Sequence, residues 1–147
     1  MIVLDCSAAI GICQNTEPGL GFRALMLEGD EILAPDLFKI EIRNVMWKYV
    51  RAGLLDEKAA RRGVEDALSL VDRFIATDEN IDEAYAESVL RGHAVYDMLY
   101  ATLARRHACC LFTVDNKLKK VCRSMGVDVV EEIEFSSVSY THLTLPT

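Results

Sequence analysis

The sequence predicts an α/β fold in which a short parallel sheet of about four to five strands is flanked by helices on both faces. Three observations predict it. Short apolar runs alternate with helix-length stretches along the chain. Two of those runs, IVL at 2–4 and LFTV at 111–114, lead directly into an aspartate and then into residues suited to a helix start. The segment AVYDMLYATLARRH, residues 94–107, is apolar nearly all round, as a helix is when it lies buried.

The elements follow in order. Residues 2–4 form a strand, and a strand that starts at the second residue is expected in the middle of its sheet. Residues 7–13 form a short helix, broken at Asn15–Thr16 and Pro18–Gly19. A second helix covers 20–27 and stops near Gly29, and residues 31–34 form a strand closed by Pro35. From Asp36, a favoured N-cap, Phe38, Ile42, Val45, Met46 and Tyr49 recur at helical spacing until Gly53. Asp56 caps a helix through residue 71, and residues 73–76 make an edge strand. A helix over 78–90 ends at Gly92, and the buried helix follows. The remainder reads as a strand at 110–114, a helix at 116–124 with Gly126 as its C-cap, and a last strand at 127–130. No internal repeat is visible.

The 147 residues make one domain, long enough for a sizeable core. We assign residues 1–133 to it. Residues 134–147 end in SSVSYTHLTLPT, rich in Ser and Thr and uncharged, which reads as linker-like or disordered sequence outside the domain. A hydrophobic content of 51 % excludes a disordered chain. No apolar run approaches the roughly 20 residues of a membrane span, and Met1 leads straight into a strand, so a cytoplasmic protein is expected. Cys6, Cys13, Cys109, Cys110 and Cys122 form no C-x-x-C and read as small buried hydrophobes. The net charge of −7 argues against passive, charge-driven binding of nucleic acid. It leaves room for an enzyme that meets a polyanion through metal ions and local basic patches. Arg61–Arg62, Arg105–Arg106 and the set Lys117, Lys119, Lys120 and Arg123 are the candidates; solvated helix faces are the ordinary alternative.

Four acids carry the functional reading. Ligands of open parallel sheets bind beyond the carboxyl ends of the strands, where Asp5 and Asp115 stand. Each also suits a helix N-cap. Glu41 flanks the apolar stripe of its helix, although a merely exposed acid would look the same. Asp97 sits near the start of the buried helix, with Ala101 and Ala104 on its face; the alternative is a first-turn acid favoured by the helix dipole. Burying an unpaired carboxylate costs several kcal/mol, and no obvious Lys or Arg is placed to pair with either one. A single arrangement accounts for all four acids: they converge at the C-terminal edge of the sheet and share divalent cations. Carboxylate oxygens suit Mg²⁺ or Mn²⁺, and His93, His107 and His142 show no ligand spacing. Phosphodiester hydrolysis is the chemistry that most needs such a cluster.

The run MIVLDCSAAI, Glu41 in FKIEIRNVMWK, then VYDMLYATLARRH, then LFTVDNKL with GVDVV behind it, resembles PIN-domain ribonucleases over residues 1–131. Within them it is most similar to VapC-type toxins of toxin–antitoxin pairs. The resemblance implies a PIN-like three-layer fold and a Mg²⁺- or Mn²⁺-dependent endoribonuclease. Asp5, Glu41, Asp97 and Asp115 would be the metal-binding acids, with Asp5 and Asp97 the most direct ligands. Thr113 would orient a carboxylate or a water; Ser7 would lie in the turn after the first strand and Asn116 beside the last acid. The resemblance also implies an RNA substrate (tRNA and rRNA are candidates), a homodimer, and a small VapB-like antitoxin covering the acidic site. Cys6 and Met98 stand where smaller or more varied residues are expected, but neither removes a carboxylate.

Other readings remain open at the sequence level. GLGFRA at 19–24 matches G-x-G-x-x-A, but no strand feeds into it and Pro18 precedes it. A Mg²⁺-binding receiver-like signalling module would need an acidic pair after the first strand and a Lys ending a late one; the chain offers neither. A D-x-D phosphatase fails at Ser7. A PIN-type housekeeping RNA-processing nuclease would carry the same four acids as a toxin.

Overall fold

The structure is a computed structural model that describes residues 1–131; the expected tail at 134–147 lies outside the described residues. Its sheet has the strands β1 (Ile2–Leu4), β2 (Ile32–Pro35), β3 (Arg73–Ile75) and β4 (Cys110–Phe112), in the order β3-β2-β1-β4 and all parallel. β1 is therefore central, as expected. It pairs Ile2 with both Ile32 and Cys110, so the ends of β1, β2 and β4 lie near one level. Successive strand residues point to opposite faces, and every residue of β1 and β2 is buried. Both faces are thus covered, which is why these strands read as unbroken apolar runs rather than alternating ones.

The helices are α1 (Cys6–Gln14), α2 (Glu17–Leu25), α3 (Leu37–Arg51), α4 (Glu57–Ser69), α5 (Ile81–Arg91), α6 (Val95–Arg106) and α7 (Asn116–Met125). α6 packs on β1, β2 and β4, and its residues from Met98 to Ala104 are all buried. That is the environment its nearly all-apolar sequence requires. Asp56 and Asp115 cap α4 and α7 as expected, and Gly92 and Gly126 end α5 and α7 with positive φ. No helix among the described residues is long and apolar enough to cross a membrane.

Four expectations need correction. Residues 127–130 do not form a fifth strand: Val127 is buried, but the segment meets β4 through one bridge, Leu111 to Val129. Packing holds it where a ladder would need successive pairs. Asp36 is not a working N-cap. Its amide donates to the Ile75 carbonyl at 2.9 Å, its backbone is already helical, and its carboxylate faces Lys39 at 3.4 Å. The helix expected over 78–90 is split into a single turn at Thr77–Glu79 and α5. The cause is Asn80, which turns inward so that its Nδ2 donates to the Leu99 carbonyl and the Thr102 hydroxyl of α6, at 2.9 and 2.8 Å. The strand expected over 110–114 stops at Phe112, because the Thr113 hydroxyl accepts the Asp115 amide and bends the chain.

The glycines of GLGFRA have a packing role. They lie inside α2, which Thr16 caps by accepting the Gly19 amide at 3.1 Å. A Cβ on Gly19 would stand 1.9 Å from the carbonyl oxygen of Gly11 in α1, so the two helices touch backbone to backbone there. Gly19→Ala is expected to force α1 and α2 apart, at a cost of about 1–3 kcal/mol or more. Urea denaturation checks this; an unchanged midpoint would mean the contact is looser than it stands here.

Candidate functional site

The turn from β1 to α1 places Asp5 at the C-terminal edge of the sheet. Its amide donates to the Phe112 carbonyl at 3.1 Å, which ties it to β4. Its Oδ1 accepts the Ala8 amide at 2.9 Å, capping α1, and the Ser7 hydroxyl at 2.7 Å. The aspartate is only 7 % exposed. Burial raises its carboxyl from the ordinary 3.8 to about 6, against the Thr113 hydroxyl, the Ala8 amide and the Ser7 hydroxyl, which all favour the ionised form; nearby Asp97 adds to the rise. Asp5 is therefore both a helix cap and a strained buried acid.

Two further acids stand within electrostatic reach of it. Glu41, one turn into α3, is pushed upward by burial and by Asp5 and Asp97, while a hydrogen bond from Tyr100 opposes the rise. That bond runs from the Tyr100 hydroxyl to Oε1 at 2.5 Å, and the phenol is held far above its usual range. Asp97, in the first turn of α6, meets Nε2 of His93 through its Oδ2 at 2.7 Å. The Ala8 and Ser7 bonds share Oδ1 of Asp5, and Glu41 and Asp97 each take their named bond on one carboxylate oxygen.

Asp115 is set apart. Its carboxylate is exposed and is spent on the Lys117 and Leu118 amides at 2.9 and 3.2 Å. It is joined to the inner acids through hydroxyls: the Asp115 amide donates to Thr113 Oγ1 at 3.1 Å, and Thr113 Oγ1 lies 3.5 Å from Ser7 Oγ. Ser7 Oγ also accepts the Val114 amide at 3.1 Å, so the β1–α1 and β4–α7 turns are spliced together beneath the acids. Asn116 opens α7 and is exposed.

The structure thus brings Asp5, Glu41 and Asp97 together, with Thr113 and Ser7 as hydroxyl links and Asp115 at the rim. Among the described residues, no three acid, His or Cys side chains form a finished ion site as they stand. Glu41, Asp97 and Asp115 are each turned toward a protein partner. The donor set is carboxylate and hydroxyl oxygen, which suits a hard divalent cation. The cysteines do not compete: burial raises the Cys6 and Cys122 thiols to about 12, and the free thiols act as packing groups.

Two participants escaped sequence reasoning. His93 lacks metal-ligand spacing to another His or Cys, but its i, i+4 relation to Asp97 was a usable signal. Tyr100 lies in the Y-D-x-x-Y string and looked like core; its hydroxyl is what reaches Glu41. The expected basic patches are neutralised in part, with Arg62, Lys117, Lys119 and Lys120 in no ion pair among the described residues. Arg105 and Arg106 pair with Glu83 and Glu87, Arg61 with Glu57, and Arg123 with Glu131.

Comparison with known proteins accords with this geometry. The sequence matches the PIN domain over residues 2–124. It is 28 % identical over 119 residues to ribonuclease VapC3 of Pyrobaculum aerophilum, covering 80 % of this chain and 91 % of that protein. It is 35 % identical over 93 residues to exonuclease VapC9 of the same organism, covering 63 % of this chain and 67 % of the relative. Among solved structures it is similar to PAE2754 from P. aerophilum, with a TM-score of 0.68 and 27 % identity, covering 88 % of this chain and 83 % of that one. The VapBC2 structure from Rickettsia felis, solved with a promoter DNA fragment, shares the fold at a TM-score of 0.63 and 16 % identity, covering 88 % of this chain and 98 % of that one. A match spanning most of the chain, four parallel strands in this order and acids gathered at their C-terminal edge agree: the chain belongs to the PIN domain family.

Proposed function

We propose that this protein is a Mg²⁺- or Mn²⁺-dependent endoribonuclease and the toxin of a toxin–antitoxin pair. The observation that carries the reading is the trio Asp5, Glu41 and Asp97. Three acids from separate elements stand within electrostatic reach of one another, partly buried, and the ion pairs of the described residues place no Lys or Arg among them. Asp5 and Asp97 would hold the ion, with Glu41 completing the set and Asp115 at the rim. A bound Mg²⁺ or Mn²⁺ would supply an activated water and neutralise charge at the scissile phosphate. The chain's own groups orient that chemistry. Tyr100 fixes Glu41, and Ser7 and the Ala8 amide fix Asp5, with the Thr113 hydroxyl beside them. Water is the nucleophile, and no side chain forms a covalent intermediate.

The names of the relatives support both the nuclease activity and the pairing with an antitoxin. A groove of about 360 Å³ between α3 and α4 supports a docking helix: Met46, Trp47, Val50, Ala60 and Val64 form its apolar wall, and Arg43, Glu57 and Arg61 its polar edge. Trp47 is 53 % exposed there, with the Arg51 guanidinium 5.3 Å from the centre of its ring. The expected homodimer is part of this reading. Ile81, Tyr85, Val89 and Leu90 leave an exposed apolar face on α5 that suits it.

Purified protein is expected to cleave structured RNA with Mg²⁺ or Mn²⁺ and to stop on addition of EDTA. Asp97→Asn should reduce the rate at least 100-fold without lowering the melting temperature. Cleavage of a circular RNA separates endonuclease from exonuclease action, and cleavage indifferent to EDTA would overturn the mechanism.

The raised Asp5 carboxyl makes a stability prediction with a definite sign. Its folded value, about 6, lies above the ordinary 3.8, so the folded state disfavours the ionised form. Stability is lost as pH rises from about 4 through 6, by up to about 3 kcal/mol. In chelator-treated protein, Asp5→Asn should therefore melt higher than wild type at pH 8, the gap closing toward pH 4; a gap independent of pH would contradict the burial. Trp47→Asp is expected to weaken capture of a VapB-like antitoxin at least tenfold while RNA cleavage persists. Equal capture would move the docking site elsewhere.

A further inference from the structure

We propose that His93 is a positioning residue for Asp97, holding Oδ2 of its carboxylate so that Oδ1 is presented to a divalent cation. The inference rests on the metal-dependent reading above and goes beyond it, since His93 is not one of the four acids. Gly92 ends α5 in a left-handed conformation, and this turn delivers His93 to the start of α6. Its Nε2 stands 2.7 Å from Asp97 Oδ2. An ionised carboxylate only accepts, so Nε2 is the donor and carries the proton.

The need for such a clamp follows from the surroundings. Asp97 is repelled by Asp5 and Glu41, whose carboxyls its charge helps to raise. Its side chain is 33 % exposed and has a route to solvent, whereas the His93 ring is only 15 % exposed and is held by its packing. Left alone, the less buried of the repelling acids would swing outward. The bond from His93 opposes that swing and commits one oxygen, which leaves the other in a fixed direction. Partners that orient metal-binding carboxylates in this way typically change metal affinity or activity 10–100-fold when removed.

The test is a Mn²⁺ titration of the full chain without RNA, read as free Mn²⁺ by electron paramagnetic resonance, with melting curves on the same samples. His93→Ala is expected to weaken Mn²⁺ binding about 10–100-fold. His93→Gln, whose amide offers an N–H donor, should recover most of that loss, and neither variant should lose its folding transition. Unchanged or tighter binding by His93→Ala overturns the inference, as does a His93→Gln variant no better than alanine. Unfolding of both variants assigns His93 a structural role instead. A wild-type protein that binds no Mn²⁺ sinks the metal reading and this inference together, whereas intact binding in both variants sinks this inference alone.

Discussion

The structure turns on the burial of one carboxylate. Asp5 stands where the central strand hands over to α1, and three demands meet on it. It must cap a helix, hold β1 to the end of β4, and keep a negative charge out of water. The first two are met by bonds to Ala8 and Phe112, and the third is met only in part by the hydroxyls of Ser7 and Thr113. Desolvation wins, and the carboxyl rises to about 6. A cap alone could have been exposed at far lower cost, as Asp56 and Asp115 are.

The rest of the site is arranged around that cost. α3 and α6 bring Glu41 and Asp97 toward Asp5, so like charge is added where charge is already disfavoured. Each added acid is restrained by one donor, Tyr100 or His93, rather than by a lysine or arginine. The Tyr100 hydroxyl orients Glu41 without cancelling its charge. Arg105 and Arg106, at the far end of α6 from Asp97, pair with Glu83 and Glu87 of α5. In the proposed mechanism, a divalent cation would satisfy the negative field of the three acids.

Much of this was legible in the sequence, and the reasons are specific. Ile2–Leu4 and Ile32–Pro35 are buried on both faces, so their apolar runs announced a parallel sheet before any coordinates. Asp5, Glu41 and Asp97 stood out in the sequence because each acid sits beside apolar residues, although Lys39 and Arg43 flank Glu41. What escaped depended on long-range geometry. The helix expected over 78–90 reads as unbroken until α6 supplies the Leu99 carbonyl and the Thr102 hydroxyl that turn Asn80 inward. Asp36 fails as a cap because its backbone is already helical and its carboxylate turns to Lys39. Val127 to Val130 has the composition of a strand, but composition does not show that β4 offers it only one bridge. The glycines at 19 and 21 matched a nucleotide motif, whereas the contact that requires Gly19 is with Gly11 of another helix.

Anomalous scattering from a crystal soaked in Mn²⁺ tests the central claim most directly. The account predicts a peak bounded by the carboxylates of Asp5 and Asp97, with Glu41 adjacent. Manganese bound only elsewhere, or ordered Asp5 and Asp97 with no peak between them at saturating Mn²⁺, would contradict it.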